Sequence, residues 1–132
     1  MNINKVFFKD KSVLITGGAG LLGISLTKLL TKLEAKVIST YYKRLPPKKY
    51  IDIYQKYDFK NFQDCLKATQ GIDYVIISAV QASGITGILK NPTASILPNL
   101  SIHAGLLEAC AQNKVKKVVW ISSSSVYQAC KY

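Results

Sequence analysis

The sequence predicts an α/β fold in which a doubly wound parallel sheet carries helices on both faces. Three observations lead to this prediction. Short apolar runs alternate along the chain with segments of helical spacing, and the first apolar run ends in a cluster of glycines. The chain also has 132 residues, of which 48% are hydrophobic, and this suits one domain with its own core. We therefore predict a single domain over residues 1–132.

The first half of the sheet is predicted from two apolar runs and the helix between them. Residues 13–16 are Val-Leu-Ile-Thr, which is typical of a parallel strand covered on both faces. Residues 21–33 place leucines at helical spacing, so a helix follows the glycines. Residues 36–40 contain Val and Ile in a second β-rich run, which predicts the second strand.

A third strand, a helix and a fourth strand are predicted next. Two prolines at 46 and 47 interrupt regular structure, and Ile51 and Ile53 then mark a short third strand. Apolar residues repeat at helical spacing over residues 62–69, and Gly71 ends that helix. Residues 73–78 form another apolar run and predict the fourth strand.

The remaining segment completes the pattern. Residues 79–98 contain two glycines and two prolines and are predicted as a loop, with Pro98 placed in the first turn of a helix. A helix over residues 100–111 and a fifth strand over residues 117–121 follow. Helices between parallel strands require right-handed crossovers, so we expect the strand order 3-2-1-4-5.

Composition limits the class of protein. The three cysteines, Cys65, Cys110 and Cys130, are too few and too scattered for a disulfide framework or a zinc cluster, so no metal site is expected. No apolar run approaches the length of a membrane span, and charged residues interrupt the N-terminal segment where a signal peptide would be apolar. We therefore expect a cytoplasmic protein that does not enter a membrane.

The charge balance is strongly basic. Eighteen Lys and Arg residues against seven Asp and Glu give a net charge of +11, with one dense cluster at residues 43–49. A solvated basic surface explains most of this charge, and a site for a phosphorylated small molecule is the alternative. Nucleic-acid binding is a weaker alternative, because no nucleic-acid recognition motif accompanies the charge.

The clearest functional signal is the glycine cluster at residues 16–23. Gly17, Gly20 and Gly23 have GxxGxxG spacing, and Leu21 and Leu22 open the predicted helix. Glycines allow a tight turn and let a pyrophosphate approach backbone N–H groups at a helix N-terminus. Because strand, glycines, helix and next strand come in the required order, we predict dinucleotide binding. The alternative is a glycine turn that only packing requires.

The end of the second strand bears on which dinucleotide binds. NAD-binding domains usually place an acidic residue there for the ribose 2′-hydroxyl, but residues 39–44 contain none. Lys43 or Arg44 can instead pair with the 2′-phosphate of NADP, so the sequence favours NADP over NAD. The alternative is a basic loop in solvent. Tyrosines near this loop are candidates for stacking on a base: Tyr41, Tyr42, Tyr50, Tyr54 and Tyr57.

Four segments make the chain resemble the N-terminal part of an extended short-chain dehydrogenase/reductase of the NAD-dependent epimerase/dehydratase family. They are residues 13–23, 57–75, 99–110 and 118–127. Residues 79–99 are most similar to GDP-L-fucose synthase and related GDP-sugar enzymes. The resemblance implies a Rossmann-like domain and NAD(P)-dependent epimerisation, dehydration or reduction of a nucleotide-linked sugar.

The resemblance also implies roles for individual residues. Asp58 and Phe59 would lie beside the adenine, and Ala79 would line the phosphate and ribose side of the cofactor. Asn99 would support the helix packed under the site, and Ser123 matches the family's catalytic Ser/Thr. Alternatives remain open: Asp58 is also suited to cap the following helix, Asn99 to a structural role, and the serines to an ordinary loop.

The family's proton-transfer Tyr-x-x-x-Lys pair lies on the helix after strand 5. Tyr127 and Lys131 match that motif literally, but Tyr127 already occupies the Val-Tyr position of the serine motif, so we do not assign them this role. His103 is expected to be a packing residue. We expect the chain to be a truncated portion that binds the dinucleotide without turnover and needs a C-terminal half for a nucleotide-sugar substrate. A non-catalytic module for a nucleotide or partner, which self-associates through an exposed strand 5 edge, is the alternative.

Overall fold

The computed structural model describes residues 3–82, 84–123 and 127. The elements are α1 (Ile3–Phe8), β1 (Ser12–Thr16), α2 (Leu21–Lys32), β2 (Lys36–Tyr41), a 3-10 segment (Lys48–Ile53), β3 (Tyr54–Lys56), α3 (Phe62–Thr69), β4 (Tyr74–Ile77), α4 (Gly84–Lys90), α5 (Ile96–Gln112) and β5 (Lys117–Trp120).

The five strands form one parallel sheet in the order β3-β2-β1-β4-β5, which confirms the predicted doubly wound, Rossmann-like topology. The chain runs from β1 outward through β2 and β3 and then crosses back to β4 beside β1. The order of strands therefore reverses between β1 and β4. In such sheets the crevice for a ligand opens at the carboxyl ends of the strands at this point.

The core lies on both faces of the sheet, because successive side chains of a strand point in opposite directions. Leu14 packs on the face covered by α3 and α5, together with Cys65 and Leu106. Val13 and Ile15 pack on the other face with leucines of α2. All three β1 side chains are fully buried, so β1 is the central strand that the apolar run predicted.

The third strand lies three residues later than the sequence predicted. Ile51 and Ile53 belong to the 3-10 segment, and β3 begins only at Tyr54. The three residues of β3 pair with residues 39–41 of β2. Tyr54 is the buried residue of this strand, whereas Ile51 is exposed.

The prediction of a loop over residues 79–98 was wrong in part. Helix α4 spans Gly84–Lys90, and α5 already begins at Ile96, so that Pro98 lies in its first turn as expected. Pro98 is tolerated there because the first backbone N–H groups of a helix have no intrahelical partner. Helix α1 was not predicted; Phe7 of α1 stacks on Tyr74 with ring centroids 5.5 Å apart.

Candidate functional site

The glycine loop, residues 17–20, joins β1 to α2 at the point where the strand order reverses. Gly17 has a φ of +66°, a conformation that side chains rarely adopt. A Cβ on Gly17 would also lie 2.8 Å from the Cα of Ala79 and from the carbonyl oxygen of Ser78. Both observations require glycine at this position for structural reasons.

Gly23 is likewise required by packing, whereas Gly20 is not. A Cβ on Gly23 would lie 2.5 Å from the Gly17 carbonyl oxygen, so the first turn of α2 needs glycine to approach the loop. Gly20 has an ordinary φ of −77°, and its Cβ would meet only the Gly17 oxygen, at 3.1 Å. The alternative that packing alone requires the glycines therefore explains Gly17 and Gly23 but leaves Gly20 without an equally strong structural reason.

Hydrogen bonds fix the glycine loop to the end of β4. Thr16 is fully buried, and its Oγ1 accepts hydrogen bonds from the backbone N–H groups of Ser78 (3.2 Å) and Ala79 (3.1 Å). The Ser78 hydroxyl donates to the Thr16 carbonyl at 2.6 Å. These three bonds hold the end of β4, with Ala79, against the glycine loop; the role of Ala79 beside the cofactor stays a prediction.

The underside of the loop is held by a residue that the sequence did not single out for this role. Tyr54 of β3 donates its hydroxyl hydrogen to the Gly18 carbonyl oxygen at 3.0 Å. Because this ring is 8% exposed, Tyr54 is removed from the tyrosines considered for stacking on a base. No local sequence pattern signals this contact, since the two residues are 36 positions apart.

One cavity, which we call the β2 cavity, lies over the carboxyl ends of β1, β2 and β3 and has a volume of about 710 Å³. Of the described residues, its charged lining comprises Lys43, Arg44 and Lys60 against the single carboxylate of Asp58. Phe59 also lines it and stacks on Tyr57 with centroids 5.9 Å apart. The structure thus brings together Asp58, Phe59 and the basic residues that the sequence singled out separately.

Asp58 does not cap α3, so that alternative was wrong. The cap is Asn61, whose side-chain oxygen accepts a hydrogen bond from the Gln63 N–H at 2.9 Å. Asp58 instead accepts from the Lys60 N–H at 3.2 Å, and its own N–H donates to the Asp64 carboxylate at 2.9 Å. These bonds fix the turn that presents Asp58 and Phe59 to the β2 cavity.

In the β2 cavity two lysines lie close to one tyrosine ring, and a buried threonine hydroxyl has no hydrogen-bond partner among the described residues. The ammonium nitrogens of Lys43 and Lys60 lie 5.8 Å and 5.6 Å from the centre of the Tyr42 ring. Lys60 also lies 3.8 Å from the Asp58 carboxylate. Thr40 lines the cavity, and its Oγ1 is the one buried side-chain polar atom without a hydrogen-bond partner among the described residues.

A second cavity, which we call the β5 cavity, has a volume of about 600 Å³ and lies between the N-terminus of α2 and the carboxyl ends of β4 and β5. Leu21, Leu22, His103, Trp120 and Ser123 are among its lining residues. The first N–H groups of α2, which include those of Leu21 and Leu22, have no partner within the helix and give this end a partial positive charge.

The two cavities join into one groove. Both are lined by residues of the glycine loop and of the end of β4, namely Gly17, Gly20, Ser78, Ala79 and Val80. A groove with an anion-attracting helix end at its centre and a cavity on each side suits an elongated ligand with phosphates in its middle.

His103 of α5 packs against neighbouring groups, as predicted, and it also lines the β5 cavity. Its Nε2 lies 3.1 Å from the Ala79 carbonyl oxygen, and its ring meets that of Trp120 edge to face with centroids 5.0 Å apart. Trp120 itself is 53% exposed. No sequence pattern indicates that these two rings meet, because they belong to different elements.

Asn99 lies outside the lining of both cavities. Its side-chain oxygen accepts from the Gln81 N–H at 2.8 Å, and its amide group donates to the Gln81 carbonyl at 3.0 Å and the Ser95 carbonyl at 2.8 Å. Asn99 thus joins α5 to the segment after β4. This geometry fits the structural role, because Asn99 holds in place the segment after β4 that lines part of the groove.

Of the serine and tyrosine candidates, Ser123 lines the β5 cavity. Tyr127 is 81% exposed and lies outside the lining of both cavities. Lys131 and the serines at 124 and 125 fall outside the described residues, so the assignment against Tyr127 and Lys131 stays a prediction.

The buried thiols are packing groups. Burial is the main cause that raises the pKa of both Cys65 and Cys110 to about 11, so neither is a thiolate near neutral pH. Cys130 falls outside the described residues. In the described parts of the chain, no three His, Cys, Asp or Glu side chains come together as metal ligands. No helix there has the length and apolar character needed to cross a membrane.

Comparison with known proteins identifies relatives for nearly the whole chain. Residues 13–132 match the NAD dependent epimerase/dehydratase family. A GDP-mannose 3,5-epimerase from Arabidopsis thaliana is 25% identical over 122 residues, which cover 90% of this chain and 32% of that protein. This relative acts on a GDP-sugar by its name; the nearer likeness to GDP-L-fucose synthase stays a prediction.

Two solved structures have the same arrangement of strands and helices. UDP-glucose-4-epimerase from Stenotrophomonas maltophila with bound NAD superposes with a TM-score of 0.80 at 22% identity, over 92% of this chain and 40% of that one. At this identity the likeness concerns the fold alone. MoeE5 in complex with UDP-glucuronic acid and NAD gives a TM-score of 0.75 at 25% identity, over 91% of this chain and 39% of that one. The chain therefore spans about a third to two fifths of these proteins.

Proposed function

The chain belongs to the NAD dependent epimerase/dehydratase family, and from this premise we propose that it binds a nicotinamide dinucleotide along the groove over its sheet. The wider activity of such a protein would be the NAD(P)-dependent epimerisation, dehydration or reduction of a nucleotide-linked sugar in the cytoplasm. Residues 1–132 supply the cofactor-binding part of this activity in the proposal. MoeE5, a neighbour at 25% identity, was solved with NAD, which supports this choice of cofactor.

The observation that carries the proposal is Gly20. Its backbone angles suit any residue, and it has the mildest steric reason of the three motif glycines to lack a side chain. It lines both cavities at the N-terminus of α2. A pyrophosphate that approaches the backbone at Gly20, Leu21 and Leu22 would account for the missing side chain, because a side chain at this position of the loop would crowd the phosphate.

Charge supports one direction of binding. The β2 cavity, which holds Asp58, Phe59, Lys43 and Arg44, suits the adenosine half, and a 2′-phosphate there would meet the basic residues. This arrangement favours NADP over NAD in the proposal. The nicotinamide half would then occupy the β5 cavity beside Ser123.

This orientation assigns a role to Ser123 and to Ala79. A nicotinamide bound there would supply hydride transfer, and the Ser123 hydroxyl would hydrogen-bond the substrate oxygen that is oxidised or reduced. Ala79 would line the ribose and phosphate side. A binding site for the nucleotide sugar would require additional residues, such as those of relatives about three times longer. We therefore propose that residues 1–132 alone bind the cofactor without turnover.

The test is titration of the folded chain with NADH and NADPH, followed by nicotinamide fluorescence or heat. Gly20→Asp places a carboxylate beside the pyrophosphate and should weaken both ligands by about 100-fold. The variant is expected to fold, because Asp is a good N-cap and φ at this position is ordinary. Lys28→Gln, on the exposed side of α2, changes the net charge by the same amount and should bind normally. A folded wild-type chain that binds neither dinucleotide would refute the proposal.

The second candidate function is a non-catalytic binding module that acts through β5. On its outer side β5 pairs with no strand of the described residues, and Val119, Trp120 and Ile121 are 46%, 53% and 42% exposed. Such an edge is a template for pairing with a second chain. Size-exclusion chromatography with light scattering at several concentrations tests this candidate. A concentration-dependent dimer that Val119→Lys abolishes supports it, and a monomer at every concentration contradicts it.

A further inference from the structure

The β2 cavity contains an arrangement that neither the glycine loop nor the family match explains. Lys43, which follows β2, and Lys60, which follows β3, both place their ammonium groups within cation–π distance of the Tyr42 ring. Two positive charges that share one ring repel each other. Of the described residues lining this cavity, only Asp58 carries a negative charge.

We propose that Lys60, positioned with Lys43 around the Tyr42 ring, is a specificity-determining residue that binds the 2′-phosphate of NADP. This inference rests on the proposed cofactor function and deepens it. The sequence assigned the 2′-phosphate to Lys43 or Arg44 alone, and no comparison assigns a role to Lys60. A dianionic phosphate beside the two ammonium groups would offset their repulsion and accept a charge-assisted hydrogen bond from Lys60.

The existing partner of Lys60 does not prevent this role. Lys60 lies 3.8 Å from the Asp58 carboxylate, with 43% of its own side chain and 32% of that of Asp58 exposed. An ion pair this long and this exposed contributes little, so the ammonium group can turn toward a phosphate at small cost. Asp58 is meanwhile held by the Lys60 N–H, so the backbone turn does not depend on the ammonium group.

A second observation points to a polar ligand in the same cavity. Thr40, at the end of β2, is 1% exposed and lines the cavity, and its hydroxyl lacks a partner among the described residues. A buried hydroxyl without a hydrogen bond destabilises a fold. A ribose or phosphate oxygen in this cavity would supply the missing partner once the Thr40 side chain turns its buried hydroxyl toward the cavity.

The test compares dissociation constants for NADPH and NADH in matched variants. Lys60→Gln should weaken NADPH by about tenfold, as expected for one charge-assisted contact, and leave NADH nearly unchanged. Lys56→Gln removes the same charge from an exposed residue of β3 outside the cavity lining, and it should affect neither ligand. Tyr42→Leu should reduce the preference for NADPH, whereas Tyr42→Phe, which keeps the ring, should retain that preference.

The outcomes separate this inference from the function on which it rests. Equal affinity of the wild-type chain for NADPH and NADH, or an equal effect of Lys60→Gln on both ligands, overturns the role of Lys60 and leaves dinucleotide binding standing. A folded wild-type chain that binds neither ligand overturns both. A tenfold loss with Lys56→Gln as well would show that only the overall charge matters, and it would also overturn the inference.

Discussion

The β2 cavity and the β5 cavity share a centre lined by glycine but differ in charge. Among described residues, the β2 cavity is lined by three cations and one carboxylate, whereas the β5 cavity has His103 as its one titratable side chain and is otherwise lined by apolar groups, glycines and serines. A ligand with one more highly phosphorylated end is therefore oriented by charge before any specific contact forms. In the proposed function, selectivity for the form of the cofactor would therefore reside in the β2 cavity, and placement of its reactive end in the β5 cavity.

The most damaging substitution is expected in the glycine loop, which lines both cavities. Gly17→Ala forces a Cβ into the backbone of residues 78 and 79 at a positive φ. We expect it to lower the free energy of unfolding by about 3 kcal/mol, the sum expected for a backbone clash and an unfavourable φ. Urea unfolding measures this loss.

Gly20→Ala is the matched control for the glycine loop. Its Cβ meets only one atom, at 3.1 Å, so we expect a loss of stability of about 1 kcal/mol or less. Both dinucleotides should nevertheless bind more weakly to this variant. If the two alanine variants were equally unstable, our distinction between packing glycines and the ligand-facing glycine would be wrong.

A smaller effect is expected when only the β5 cavity is changed. Trp120→Leu should weaken NADH and NADPH about fivefold through loss of one aromatic contact, and it should leave adenosine 2′,5′-bisphosphate unaffected. Trp120 is the single tryptophan of the chain, so its fluorescence reports on this cavity alone. Reduced dinucleotides should quench that emission, because reduced nicotinamide absorbs where indole emits, whereas the bisphosphate should not. Equal quenching by both ligands would contradict the assigned direction of binding.

The sequence predicted the centre of the groove better than its walls. The strand order and the glycine loop follow from local signals: a buried apolar run, glycine spacing and a leucine-rich helix. The position of β3 did not, because its pairing depends on residues 39–41 of β2, and Ile51 and Ile53 formed the more obvious β pattern. Helix α4 was missed since Gly84 and Gly87 are unfavourable in helices.

The site residues divide in the same way between local patterns and contacts across strands. Lys43, Arg44, Asp58 and Phe59 stand in recognisable segments, so their patterns could be interpreted one at a time. The contact of Lys60 with Tyr42, by contrast, joins residues that follow two different strands. Such contacts arise from strand register, and no single stretch of sequence contains them. The local signal for a role of Lys60 in the site is that it directly follows the Asp58-Phe59 pair.

The weakest effect is expected at the amino ends of the strands, at the other end of the sheet from both cavities. Asp73 accepts hydrogen bonds from Lys116 at 2.7 Å and from the Ser12 N–H at 2.9 Å, and these bonds hold the pKa of its carboxyl below the usual value of 3.8. A carboxyl with a lowered folded-state pKa stabilises the fold above its unfolded pKa, and this contribution is lost as the pH falls through the folded value. We therefore expect Asp73→Asn to flatten the decrease in stability below about pH 4, measured as urea midpoints between about pH 5 and 2.5, without changing NADPH affinity at neutral pH. Asp52→Asn removes an exposed carboxylate before β3 and should leave that part of the curve unchanged. If Asp73→Asn altered NADPH affinity and left the acid limb unchanged, the amino ends of the strands would be coupled to the groove, and the role assigned to Asp73 in stability alone would be wrong.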